Sequence, residues 1–192
     1  TEYWVEQAIS VIKNNATLSL GITQKSPRIL DLCAGSGCIG TAVAKAIPEA
    51  QVDFGEIDIQ LIPTITKNVK ENNIKETRYK IIQTNLFSKL PDIYDYILSN
   101  PPYIDESLDR TDESVKANEP YLALFGGQNG MEVITQLIID APVHLAKGGQ
   151  LWIEHEPEQS GDIKEIASRN NFTTSVQLDQ YGVERYSILV LQ

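Results

Sequence analysis

The sequence predicts an α/β fold: a doubly wound, mostly parallel seven-stranded sheet with an antiparallel hairpin at its C-terminal edge. Three observations lead there. Short apolar runs alternate with helical-period segments through most of the 192 residues, the pattern of successive strand–helix units. The first strand-to-helix junction is glycine-rich, as doubly wound sheets are where a ligand meets the strand ends. The last two apolar runs flank a Tyr181-Gly182 turn with no helix between them, which reads as a strand pair.

Each element has its own signal. Val5, Ala8, Ile9 and Ile12 recur at helical spacing, so residues 1–15 are expected to form an amphipathic helix. Arg28 to Leu32 is a first strand and Ile39 to Ile47 the helix after it, closed by Pro48. Gln51 to Ile57 is a second strand. Leu61 to Asn72 is a second helix of the wound unit, with Pro63 tolerable only in its first turn. Tyr79 to Gln83 and Tyr94 to Ser99 are the third and fourth strands. A helix is expected over Ile134 to Leu145, kinked or shortened by Pro142, then a strand over Gly149 to His155 and a helix over Glu158 to Asn170. Thr173 to Leu178 and Tyr186 to Leu191 complete the seven strands. The irregular segment Ile104 to Tyr121 is rich in Asp, Glu and Ser, and a loop of that length is more often functional than structural.

Composition narrows the function. The chain is 42% hydrophobic and 22% charged, ordinary for a soluble domain. No apolar run approaches the roughly 20 residues of a membrane span, so no membrane partner is expected. The formal net charge is −10, from 26 acidic against 16 basic residues. Nucleic-acid binders draw much of their affinity from basic surface, so a nucleic-acid partner is not expected. Cys33 and Cys38 read as small buried residues in a reducing compartment, with no disulfide and no metal site. Thr1 to Glu6 lacks a basic n-region, so no signal peptide is expected there. A monomer is expected.

Two groups of residues carry chemistry. The first is Asp31-Leu32-Cys33-Ala34-Gly35-Ser36-Gly37, where the first strand meets the first helix. Its glycines permit positive φ and a close ligand approach. The spacing D-L-x-x-G-x-G is not the G-x-G-x-x-G of dinucleotide enzymes. Glu56 follows about twenty residues later at a strand tip, where a carboxylate can accept both ribose hydroxyls of an adenosyl cofactor. Asp58 competes for that role and could equally be a helix cap. Asn85 could bond the exocyclic amine of an adenine, and Leu86 could pack on the ring.

The second group is Asn100-Pro101-Pro102-Tyr103, at the end of the fourth strand. Two prolines fix φ and leave carbonyls without competing donors. The Asn100 side-chain oxygen and the Pro101 carbonyl can together accept both hydrogens of one NH2 group. Tyr103 offers a face for a planar amide or base. The pair therefore suits a nitrogen whose lone pair must be aimed at an electrophile.

These residues resemble the HemK/PrmC family, which methylates the glutamine side-chain amide in the Gly-Gly-Gln loop of peptide-chain release factors. The resemblance runs through Cys33 to Gly37, Glu56, Asn85-Leu86, Asn100 to Tyr103 and Asn118-Glu119-Pro120-Tyr121-Leu122-Ala123-Leu124-Phe125-Gly126-Gly127. It implies a class I, Rossmann-like fold, S-adenosylmethionine as cofactor, a release factor as protein partner and an intracellular location, mitochondrion or cytoplasm. The N-P-P-Y element is shared with adenine amine methyltransferases, and the E-P-x-x-A-L-x-G-G run is what leans the match toward the glutamine enzymes. An adenine methyltransferase on DNA or RNA is the alternative, needing base flipping and a basic groove. The family more often has Gly at position 33 and Asp at positions 56 and 85. The resemblance also implies a helical domain upstream, with residues 1–15 as its tail or linker and residues 16–192 as the catalytic domain.

Two further features carry less. His155-Glu156-Pro157-Glu158 lacks the helix and second His of a metal motif and reads as a polar strand end. Asp105, Glu106, Asp109, Asp112 and Glu113 form an acidic loop that could meet a basic protein surface.

Overall fold

The computed structural model describes residues 1–18, 26–105, 107 and 124–192. Its elements begin with α1 (Glu2–Leu18), β1 (Arg28–Leu32), α2 (Cys38–Ala46), β2 (Gln51–Glu56), α3 (Ile62–Glu71), β3 (Tyr79–Gln83) and β4 (Tyr94–Ser99). They continue with α4 (Glu132–Asp140), β5 (Leu145–Glu154), α5 (Ser160–Arg169), β6 (Phe172–Leu178) and β7 (Glu184–Leu191). The acidic positions Glu106, Asp109, Asp112 and Glu113, and residues 118–123 of the E-P-x-x-A-L-x-G-G run, lie outside the described residues.

The seven strands form one sheet in the order β3-β2-β1-β4-β5-β7-β6. β1 pairs parallel with β2 and β4, β2 with β3, and β4 with β5. β7 runs antiparallel between β5 and β6, so the expected C-terminal hairpin is present with its later strand innermost. β1, β2 and β4 are buried almost without interruption, because helices cover both faces. Ile39, Val43, Ile65 and Val69 of α2 and α3 join the core on one face, and Ile134, Leu137, Ile163 and Ala167 of α4 and α5 the core on the other.

Helix α1 docks on the same face as α2 and α3. Trp4, Val5, Ala8 and Ile12 are buried there. Trp4 stacks on Tyr186 at 6.2 Å, and Tyr186 on Trp152 at 5.8 Å. The indole N–H of Trp4 donates to Glu154 Oε2 at 2.6 Å. Helix α1 therefore contributes to the core.

Several boundaries differ from expectation. The helix expected to reach Leu145 ends at Asp140, and a 3-10 turn over Ala141–Val143 follows. Leu145 instead opens β5, opposite Tyr94, with a register shift before Tyr96 pairs with Gln150. Pro142 has no N–H to continue the helix. Pro157 likewise opens a 3-10 turn, Pro157–Gln159, ahead of α5. Leu61 and Asn72 are caps of α3 rather than members, and Pro63 sits in its first turn.

Candidate active site

β1 lies between β2 and β4, so the chain leaves the C-terminal ends of β1 and β4 in opposite directions and opens a crevice there. A cleft of about 460 Å³ occupies it. Its walls come from the turn after β1, the tip of β2, the loop after β3 and the loop after β4.

The glycine turn forms one wall. Cys33, Gly35 and Gly37 have φ of 59°, 56° and 75°. Ala34 N–H donates to Gly55 O at 3.1 Å and Gly37 N–H to Ala34 O at 2.7 Å, which holds the turn in place. A Cβ on Gly35 would meet no atom within 4 Å, so its glycine is explained by φ and by the open cleft beside it. At Gly37 a Cβ would press on Ile65 at 2.9 Å, so this glycine serves packing behind the cleft. Cys33, Ala34 and Ser36 line the cleft. Both cysteines are free. The expected burial fails for Cys38, which is exposed because it opens α2 at the cleft rim, and Cys33 is half-buried. Burial pushes the Cys33 thiol up to about 12, so it stays protonated.

Glu56 is the buried carboxylate of the cleft, 6% exposed. Its Oε2 accepts Gly35 N–H at 2.7 Å and its Oε1 accepts Asp58 N–H at 2.8 Å. Two backbone donors thus fix the carboxylate, and each oxygen keeps acceptor capacity for a diol. Asp58 also lines the cleft, but its Oδ1 accepts Gln60 N–H at 2.8 Å in a local turn. Asp31 points away from the cleft. It is fully buried behind the turn, where Oδ2 accepts Gly40 N–H at 2.8 Å. Asn85 and Leu86 both line the cleft, with Leu86 at φ 45°. Phe125 of the resemblance run lines the cleft, and so do Ile57, Leu61 and Val133, apolar wall residues that no sequence signal marked because their contribution depends on tertiary placement.

At the other end, Ser99 Oγ donates to Leu32 O at 2.7 Å and ties the end of β4 to the end of β1. Asn100 and Pro102 line the cleft; Pro101 is buried beside them. Asn100 Nδ2 donates to Thr1 Oγ1 at 3.2 Å, which leaves Oδ1 as the acceptor without a partner among the described residues. Tyr103 turns out of the cleft. Its hydroxyl donates to Glu154 Oε1 at 3.1 Å, and its ring borders a separate hollow of about 260 Å³ with Arg185 and Tyr186. Burial and the adjacent carboxylate of Glu154 hold that hydroxyl above its ordinary pKa, so it remains a donor. His155 is a buried neutral residue, bonded to Ser187 Oγ and Glu156 O at 2.8 Å each. Burial lowers its pKa.

Comparison with known proteins adds three findings. The model of the methyltransferase small domain family matches residues 14–118. A release factor glutamine methyltransferase of Rhodopirellula baltica is 36% identical over 96% of this chain and 62% of its own length. A ribosomal protein uL3 glutamine methyltransferase of Bordetella pertussis is 37% identical over 66% of this chain and 43% of its own. The chain thus spans less than two thirds of either relative. Among solved structures, magnesium protoporphyrin IX methyltransferase of Synechocystis with bound SAH superposes with a TM-score of 0.66 at 13% identity, covering 98% of this chain and 81% of the other.

Proposed function

We propose, because this chain belongs to the methyltransferase small domain family, that it transfers a methyl group from S-adenosylmethionine to the side-chain amide nitrogen of a glutamine in a protein. The substrate we assign is the Gly-Gly-Gln loop of a peptide-chain release factor. The observation that carries the reading is Asn100, an acceptor oxygen at the end of β4 in the same cleft as the backbone-anchored Glu56.

The residues present fit the cofactor. Glu56 would hold the ribose hydroxyls, Asn85 and Leu86 the adenine, and the open face at Gly35 leaves room for the methionine end. Bound there, S-adenosylmethionine supplies an electrophilic methyl group. The chain's own part is placement. An amide nitrogen is a weak nucleophile because resonance occupies its lone pair. Asn100 Oδ1 and the Pro101 carbonyl accept its two hydrogens and so orient that lone pair. The nitrogen loses one proton to water afterwards, so the site requires no general base. The release-factor relative supports this substrate by matching 96% of the chain, against 66% for the uL3 relative.

Labelled S-adenosylmethionine offered with a release factor, with uL3 or with adenine-containing DNA and RNA tests the assignment. Label is expected on the release factor and lost when the glutamine of its Gly-Gly-Gln loop is replaced. Label on uL3 or on adenine instead refutes the substrate. Asn100→Ala should lower turnover about 100-fold, the scale for removing a preorganised polar contact.

A further inference from the structure

The loop between β5 and α5 takes no part in lining the cleft, yet it grips the N-P-P-Y element from behind. Gln159 is 5% exposed. Its Oε1 accepts Glu156 N–H at 2.9 Å, which fixes the orientation of the amide. That orientation turns Nε2 toward two carbonyls, Tyr103 O at 2.9 Å and Asn129 O at 3.1 Å. One side chain therefore joins the start of α5, the residue closing N-P-P-Y and the turn before α4. A local explanation exists, since Gln159 forms a capping box with Glu156. The cap uses only Oε1, however, and leaves both Nε2 hydrogens for the other two segments.

Packing makes the same join. A Cβ on Gly130 would overlap Tyr103 O, and one on Gly126 would overlap Pro102 O. Ile104 N–H donates to Leu124 O at 3.0 Å and Gly126 N–H to Ile104 O at 3.1 Å, a bridge that holds the two segments side by side. At its upstream end the element is tied by Ser99 Oγ to Leu32 O. Between the two ties lie Asn100 and two prolines, whose rings remove two of the soft backbone torsions.

We propose that Gln159 is a positioning residue for methyl transfer: by holding the Tyr103 carbonyl it sets where the Asn100–Pro101 acceptor pair stands relative to the cofactor cleft. This rests on the reading of that pair as the amide acceptors. A displacement of about 1 Å at a reacting centre can cost on the order of 100-fold in rate, so a contact outside the cleft can control turnover without touching substrate.

Two substitutions and two readouts test it. Gln159→Leu keeps the volume and removes the donors. Its kcat should fall about tenfold or more, with S-adenosylmethionine affinity by calorimetry within about twofold of the parent. Gln159→Glu keeps the cap acceptor but faces two carbonyls with a carboxylate. Protonation gives it one donor, and burial raises the pH at which that happens. Its activity relative to the parent should therefore recover as pH is lowered from about 8 to about 6, a response that loss of a helix cap would not produce. Unchanged kcat in both variants overturns the proposal. Hydrogen exchange gives a reading that needs no substrate: the Ile104 and Gly126 amides should exchange at least about tenfold faster in Gln159→Leu. If the parent labels neither protein substrate, the functional reading fails while exchange still decides the clamp, and unchanged exchange refutes it.

Discussion

Asp31 is buried behind the glycine turn with Gly40 N–H on Oδ2 and no partner on Oδ1 among the described residues. Burial pushes its carboxyl up to about 8, and the charge of Glu56 acts in the same direction. The ordinary aspartate value is 3.8, so between about 4 and about 8 the folded protein keeps a proton that the unfolded chain has released. Stability must then fall as pH rises across that window. Asp31→Asn retains an acceptor for Gly40 and cannot ionise. Its urea midpoint should vary less with pH over that window than the parent's, and parallel curves would count against the buried proton. The motif around Asp31 was legible in the sequence, but its direction was not. Strand alternation separates Asp31 from Leu32 without saying which of them faces the crevice. Gln159 was less legible still, because its partners are carbonyls 56 and 30 positions away and leave no pattern in the chain.

Helix α2 illustrates the same division one level up. Its place after β1 follows from the order of apolar runs, but its distance from the sheet is set by Gly40, where a Cβ would overlap the Phe54 ring. Helix propensity alone would favour alanine there by about 1 kcal/mol. The close approach dominates, and Gly40→Ala is expected to destabilise the protein by about 1–3 kcal/mol in chemical denaturation. A stabilised variant would mean that α2 can lift from β2 at little cost. The far end of α2 is fastened by Arg78, whose guanidinium donates to the carbonyls of Ala44, Ile47 and Ala50 at 2.8–3.1 Å. Element order was readable because parallel strands buried on both faces produce plain apolar runs. The start of β5 was not, since Val143 to Ala146 is too short and too apolar for periodicity to separate a helix end from a strand start.

At the scale of the molecule, α1 and the C-terminal hairpin complete one core through Trp4, Tyr186 and Trp152. Trp4→Ala empties that stack and removes the indole donor from Glu154, whose other oxygen holds Tyr103. A loss of about 3–5 kcal/mol in unfolding free energy is expected, and a loss below about 1 kcal/mol would show α1 to be dispensable to the fold. The sheet order has a further consequence for how the molecule is made. β7 is the last strand in sequence, yet it fills the slot between β5 and β6. A nascent chain carrying six strands leaves β5 with an open side and β6 with no neighbour. The sheet can close only once Glu184–Leu191 has emerged from the ribosome, and the bond between Trp4 and Glu154 must span 150 positions. Until that moment the bare side of β5 is a template on which another chain can pair. The hazard of misassembly is therefore concentrated late in biogenesis, in the interval before the seventh strand arrives.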